Sequence, residues 1–362
     1  MINDFIFNSN NFQTISGASE WRSPSNIALI KYWGKKNNQI PLNPSISITL
    51  KNCFTQTKIS YQTKKVSKLE FSFLFEGENN PSFEKKLRQF FIKIEKYCPY
   101  LSNLELKIES RNSFPHSSGI ASSASSYSAL SLCIMDIEKE LNPSIDDKFF
   151  LKKASFIARL GSGSACRSIL GFFSIWGRSD FFDFSSDLYA MNYPNKIHDV
   201  YKEICDTVLI VDKEKKEVSS TMGHHLMEGH SFSNDRLNQV KISLKNLKNA
   251  LERGDYDMFI KVVELEALSL HAMMMTSDPY FILMKPNTLS IIQKIWEIRA
   301  ERKLPICITL DAGANVHLLY PNNIKTEVLS VIEKDLIVYC ENEQYICDEV
   351  GNGPKLIMEH YA

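Results

Sequence analysis

The feature that most constrains this chain is residues 112–135, Asn-Ser-Phe-Pro-His-Ser-Ser-Gly-Ile-Ala-Ser-Ser-Ala-Ser-Ser-Tyr-Ser-Ala-Leu-Ser-Leu-Cys-Ile-Met. The first part is small and polar and is broken by Pro115. After Gly119 the residues Ala121, Ala124, Ala129, Leu130 and Leu132 suit a helix. A Gly/Ser-rich loop therefore runs straight into a helix N-terminus. Such a junction aims unpaired N–H groups and the positive end of the helix dipole at whatever sits in the loop. Ser117, Ser118, Ser122 and Ser123 add hydroxyl donors, and a hydroxyl there can also ligate Mg²⁺. The plain alternative is a serine-rich loop ahead of an ordinary helix. The Gly-Lys-Ser/Thr ending of a Walker A loop is absent.

A chain of 362 residues suffices for two domains or one large one. Its 44% hydrophobic and 23% charged content is that of a soluble globular protein. Lys plus Arg and Asp plus Glu both number 42, so the net charge is zero. A nucleic-acid partner is not expected, because such binders are usually basic. Any phosphate chemistry must rest on local positive charge. The start, Met-Ile-Asn-Asp-Phe-Ile-Phe, lacks the basic region of a signal peptide. No apolar run reaches membrane-spanning length, so no membrane association is expected. The eight cysteines lack CxxC or His pairing and read as reduced, mostly buried thiols in a cytoplasmic protein.

Residues 1–22 read as an extended strand or a loose arm. Residues 27–32 form an apolar strand core that ends in Lys31, Tyr32, Trp33, Gly34 and Lys35. Lysines at the end of a buried strand suggest an anionic ligand; alternatively they simply reach water. In 41–50, Ile46, Ile48 and Leu50 alternate with Ser47 and Thr49, which predicts a half-buried strand. Further strands are expected at 54–61, 68–75, 104–109, 171–176 and 207–211. Apolar spacing predicts helices at 82–97, 149–160, 233–253, 255–275 and 288–302. The chain turns polar around 178–205, which puts a domain boundary near 185 and divides it into 1–185 and 186–362. Residues 323–342 read as helix then strand, and 343–362 as a closing tail.

Three further stretches carry candidate chemistry. In Ala-Arg-Leu-Gly-Ser-Gly-Ser-Ala-Cys-Arg-Ser, 158–168, Gly161 and Gly163 allow unusual backbone shapes. Ser162, Ser164 and Arg167 can then converge on one acceptor, and Arg suits a carboxylate or phosphate. A tight turn before a strand is the alternative. Two apolar strands flank Asp311-Ala312-Gly313-Ala314-Asn315, where Asp311 is either a functional carboxylate or a turn cap. The pair His224-His225 lacks enough partners for a metal site, so local hydrogen bonding is expected. The methionines at 273–275 read as packing.

Four separated clusters resemble the diphosphomevalonate decarboxylases of the GHMP kinase superfamily, in that family's order. They are Asn-Ile-Ala-x-x-Lys-Tyr-Trp-Gly-Lys at 26–35, the 114–124 loop with Phe-Pro and Ala-Ser-Ser-Ala, Gly-Ser-Gly-Ser-Ala-Cys-Arg-Ser at 161–168, and Asp-Ala-Gly-Ala-Asn at 311–315. Pro-Leu-Asn-Pro-Ser-Ile-Ser-Ile-Thr-Leu at 41–50 and Val-Ser-Ser-Thr at 218–221 are also similar. Ala314 departs from the family's usual proline, which puts the loop's stiffness in question. The resemblance implies an α/β GHMP architecture: a ribosomal-S5-like N-terminal domain, a ferredoxin-like C-terminal domain, and a site in the cleft between them.

The implied reaction is ATP- and Mg²⁺-dependent decarboxylation of mevalonate 5-diphosphate to isopentenyl diphosphate. By the same resemblance, Asp311 deprotonates or orients the C3 hydroxyl, and Lys31 keeps Asp311 ionised. Arg167, with Ser162 or Ser164, holds the carboxylate. Tyr32 and Lys35 hold the diphosphate, with Asn26 in the substrate-binding set. Pro115, Ser117, Ser118, Gly119, Ala121, Ser122 and Ser123 hold the nucleotide phosphates, and Ser122 and Ser123 are the candidate Mg²⁺ ligands. Ser220 orients the transferred phosphate. A homodimer is implied. The alternatives are a kinase of this fold that stops before decarboxylation, or a non-catalytic nucleotide-binding protein. Whether the acceptor carries a monophosphate or a diphosphate stays open.

Overall fold

The computed structural model describes residues 2–8, 13–115, 120–213 and 220–361. Two sheets organise it. The first is built from β1 (Ser16–Ile30), β2 (Ser45–Thr63), β3 (Glu70–Phe75), β4 (Leu104–Asn112) and β5 (Phe173–Trp176). The second is built from β6 (Ile204–Leu209), β7 (Cys307–Thr309), β8 (Val316–Pro321) and β9 (Tyr345–Glu349). A last strand, β10 (Lys355–Tyr361), returns to the first sheet and pairs antiparallel with β1. The order of the first sheet is β10-β1-β2-β4-β3, with β5 on the far end of β2. Its pairings are antiparallel except β3 with β4, which the helix α1 (Pro81–Ile94) connects as a parallel crossover. The second sheet runs β7-β8-β6-β9, all antiparallel.

The helices follow from their apolar spacing and caps. Asn80 caps α1 by accepting from the Phe83 amide at 3.2 Å. α2 (Ser122–Leu141) packs on one face of the first sheet, and α3 (Asp147–Gly161) packs against α2. α2 is buried along most of its length, so its polar residues need partners. Asp136 accepts from Ser19 Oγ and Trp21 Nε1, each at 2.5 Å, and Glu138 pairs with buried Lys153 at 2.6 Å. A short helix α4 (Ala165–Ser168) follows α3. In the second domain, a short α5 (Ser220–His225) precedes three long helices, α6 (Ser233–Arg253), α7 (Tyr256–Met275) and α8 (Pro286–Arg302). One apolar cluster joins the two domains: Ile27, Leu29, Ile46 and Ile48 of the first sheet pack with Ile204, Val208, Phe259 and Val263 of the second domain.

This packing corrects three expectations. The strands expected at 41–50 and 54–61 are one strand, β2, and its Ser47 and Thr49 are as buried as its isoleucines. The hydroxyls are satisfied inside: Ser47 Oγ meets Ser174 Oγ at 3.2 Å, and Thr49 Oγ1 donates to the Gly351 carbonyl at 2.9 Å. The strand expected within 323–342 is instead a helical run, Lys325–Val331, then a π turn at Ile332–Leu336 and further short turns. The expected tail is two strands on two different sheets. β10 extends the first sheet because β1 is long enough to offer a free edge along Gly17 to Arg22. No helix among the described residues is long and apolar enough to cross a membrane.

Candidate active site

Lys31 is the first residue past the end of β1. With no strand ladder left, side chains take over both of its backbone groups. Its N–H donates to Glu266 Oε2 at 3.0 Å, and its carbonyl accepts from Asn43 Nδ2 at 2.9 Å. Glu266, on α7 and fully buried, also takes both arms of Arg236 at 2.9 and 2.6 Å. The Lys31 side chain, 2% exposed, then reaches Asp311 with Nζ to Oδ1 at 3.5 Å, while the Asp311 side chain is 28% exposed. Burial pushes the Lys31 pKa down; the charges of Asp311 and Glu266 pull it back up, and Arg167 opposes them.

Asp311 sits between β7 and β8, and its loop is pinned at several points. The Gly313 amide donates to the Asp311 carbonyl at 2.7 Å, and His271 Nε2 donates to the same oxygen at 3.1 Å. Asn315 Oδ1 accepts the amides of Val211 and Asp212 at 2.7 and 2.9 Å. Thr288 Oγ1 donates to the Ala314 carbonyl at 2.6 Å. These bonds hold the loop that lacks the expected proline at 314. Thr288→Val is expected to cost about 1–3 kcal/mol, because it leaves a buried carbonyl unpaired. Urea denaturation measures this, and an unchanged midpoint would show that the bond holds nothing.

Arg167, on α4, is buried. Its Nε donates to Asn26 Oδ1 at 3.3 Å and its Nη1 to Ser45 Oγ at 2.6 Å. Both partners are neutral, so its charge is left for an anion. Asn26 Nδ2 ties β1 to α4 through Ser168 Oγ at 2.7 Å and the Ser164 carbonyl at 3.2 Å. Ser162 Oγ lies 3.3 Å from Ser123 Oγ and 3.5 Å from Ser164 Oγ, which brings the 158–168 cluster against the start of α2.

Tyr32 stands edge-on to Trp176 with centroids 4.7 Å apart, and its buried hydroxyl has no partner among the described residues. Burial pushes that phenol's pKa up. A Cβ at Gly163 would lie 2.8 Å from the same hydroxyl, so glycine is required there. Half-buried Lys35 has its pKa pushed down by burial, with Lys93 adding repulsion.

At the start of α2, Ala121 adopts φ 48° and no side chain caps the helix. The Ser125 and Ser126 hydroxyls turn back to the Ser122 carbonyl at 3.2 and 2.7 Å. The Ser25 hydroxyl holds the Ile120 carbonyl. Ser122 and Ser123 open onto a cleft with Phe73, Phe75, Phe83 and Lys86 on its walls. Its aromatic and cationic lining suits a nucleoside whose phosphates lie at the helix start. Pro115 is exposed at the described edge of the loop, while Ser117, Ser118 and Gly119 lie outside the described residues. Ser220 opens α5, and its side chain lies outside the description as well.

His224 is 8% exposed and accepts the Gly34 amide on Nδ1 at 2.9 Å. Burial pushes its pKa down to about 3, with Lys35, His225 and Arg167 adding to the effect. Its neighbour His225 is exposed, 3.8 Å from Glu228. Among the described residues no three His, Cys, Asp or Glu side chains gather as a metal site. Because the unfolded chain takes up the His224 proton near pH 6.5 and the folded chain does so only near pH 3, stability falls as pH drops through that window. At pH 5 the contribution is about 2 kcal/mol. His224→Asn is expected to lose less stability than the parent between pH 7 and 5; parallel losses would contradict the assignment.

Comparison with known proteins bears on this geometry. The family described as diphosphomevalonate decarboxylase-like N-terminal domain matches residues 23–189, and mevalonate 5-diphosphate decarboxylase C-terminal domain matches 207–357. The diphosphomevalonate decarboxylase of Saccharomyces cerevisiae is 30% identical over 326 residues, covering 86% of this chain and 80% of that protein. The chain belongs to the diphosphomevalonate decarboxylase family. The decarboxylase structure from Staphylococcus aureus superposes with TM-score 0.80 at 28% identity, over 95% of this chain and 98% of that one. The Enterococcus faecalis mevalonate diphosphate decarboxylase gives 0.78 at 27% identity, over 95% and 99%. A further structure, at TM-score 0.80 and 28% identity over 95% and 99%, holds MVAPP, AMPPCP and magnesium. The two-domain GHMP-type fold expected of a diphosphomevalonate decarboxylase is therefore the fold of this chain.

Motif reading missed the supports of this decarboxylase-family site. Glu266 and Arg236 carry Lys31 from 235 and 205 positions away, and His271 and Thr288 brace the Asp311 loop. One signal was present: Glu264, Glu266 and His271 interrupt the otherwise apolar face of α7.

Proposed function

We propose that the chain catalyses ATP-dependent decarboxylation of mevalonate 5-diphosphate, giving isopentenyl diphosphate, ADP, phosphate and CO₂. The observation that carries this reading is the Lys31–Asp311 pair at 3.5 Å, set beside an Arg167 that donates to two neutral partners, Asn26 and Ser45. Asp311 Oδ1 takes or orients the proton of the C3 hydroxyl. Lys31 Nζ lies against that carboxylate and offsets charge as it develops. Arg167 holds the substrate carboxylate with Ser162 or Ser164, and Asn26 keeps the guanidinium in place. The unpartnered Tyr32 hydroxyl and Lys35 hold the diphosphate. ATP with Mg²⁺ supplies the phosphoryl group that makes the hydroxyl a leaving group. Ser122 and Ser123, at an uncapped helix start beside the aromatic-lined cleft, are the described residues that fit it. Pro115, Ser117, Ser118, Gly119 and Ala121 complete the same loop, and Ser220 orients the transferred phosphate.

The same proposal divides the chain near residue 185, with β10 crossing back to the first sheet. Eight free thiols support a reducing, cytoplasmic setting. The balanced charge supports a protein without nucleic-acid partners. The family resemblance supports a homodimer, which light scattering tests. The reaction itself is tested with purified protein, Mg-ATP and mevalonate 5-diphosphate. ADP is expected only when all three are present. Preference for mevalonate 5-phosphate would overturn the assignment of Tyr32 and Lys35.

A further inference from the structure

His224 takes no part in the reaction as derived, yet it lies where the two domains meet over the end of β1. It belongs to α5 of the second domain, and it accepts the amide of Gly34 in the first. Its ring packs between Tyr32 and Trp33, with centroids 4.3 and 4.8 Å away. Gly34 has φ 88°, and its carbonyl accepts the Leu42 amide at 3.2 Å. The backbone between Tyr32 and Lys35 is therefore held on one side by its own chain and on the other by His224. Trp33 is pressed from the same helix: a side chain at Gly223 would run into its indole, and Met227 packs in the same cluster. For Nδ1 to accept, the imidazole must be neutral with its proton on Nε2. Burial among Lys35, His225 and Arg167 keeps it so.

We propose that His224 is a positioning residue that fixes the Trp33-Gly34-Lys35 turn from the second domain and so sets the grip of Tyr32 and Lys35 on the diphosphate end of the substrate. The inference rests on the assignment of Tyr32 and Lys35 given above. The acceptor at Nδ1 is the working part. Asn presents its Oδ1 at the same place, Gln reaches the Nε2 position instead, and Leu keeps bulk without an acceptor.

Steady-state kinetics of four variants at one pH decides it. His224→Leu and His224→Gln are expected to raise the KM for mevalonate 5-diphosphate roughly tenfold, the worth of one hydrogen bond, with kcat within about twofold and the KM for ATP unchanged. His224→Asn stays within about threefold of the parent. Lys35→Ala raises the same KM. Equal effects of Asn and Leu, or a loss in kcat with no change in that KM, overturn the proposal. If Lys35→Ala raises KM and His224→Leu does not, the His224 link alone falls. If neither does, the diphosphate assignment falls with it. Should the Leu variant not fold, the Gln–Asn comparison carries the decision.

Discussion

Asp311→Asn is expected to lower kcat by about 10²- to 10⁴-fold, the range for losing a positioned general base, while ATP binding stays near that of the parent. The exchange is isosteric, so the loop should keep its shape. Its backbone is held by Gly313, His271, Thr288 and Asn315, none of which bonds the carboxylate in the contacts described. What is lost is charge. The amide cannot accept the hydroxyl proton, and buried Lys31 loses the nearer of the two carboxylates that support its ammonium. Kinetics together with ATP titration calorimetry separate the two effects. Turnover near that of the parent would show that Asp311 is not the base.

Arg167→Ala is expected to cost about 2–5 kcal/mol in kcat/KM, roughly 30- to 5000-fold, as for truncation of a buried, hydrogen-bonded charge. Both KM and kcat should suffer, because the carboxylate must be held before it can leave. The variant also strands Asn26 Oδ1 and Ser45 Oγ, which now meet the guanidinium. Arg167→Lys keeps the charge but not the planar fork, so it should recover only part of the loss. If Arg167→Ala binds substrate as the parent does, the carboxylate is held elsewhere.

The candidate site was legible where chemistry demands particular residue types in one short run. The 26–35, 158–168 and 311–315 stretches could be read because each carries its own glycines, charges and hydroxyls. The fold brings them together, Lys31 to Asp311, Asn26 to Arg167 and Ser162 to Ser123, and of these only the first was anticipated as a pair. What holds them was not legible. A glutamate 235 residues from Lys31 bonds its backbone amide, and nothing local to either residue announces that. The same limit applies to strands. Ser47 and Thr49 alternate like a solvent face, but tertiary packing buries them against 174 and 351. The return of β10 to β1 joins the two ends of the chain, a pairing that periodicity cannot specify. His224 was expected to bond locally; instead it bonds Gly34, 190 positions away.

The most direct test of the whole account is a product analysis with mevalonate 5-diphosphate carrying ¹⁴C at the carboxyl carbon, in the presence of Mg-ATP. Labelled CO₂ released one-for-one with ADP is the predicted result. ADP released without labelled CO₂ would contradict it and leave a kinase on this fold.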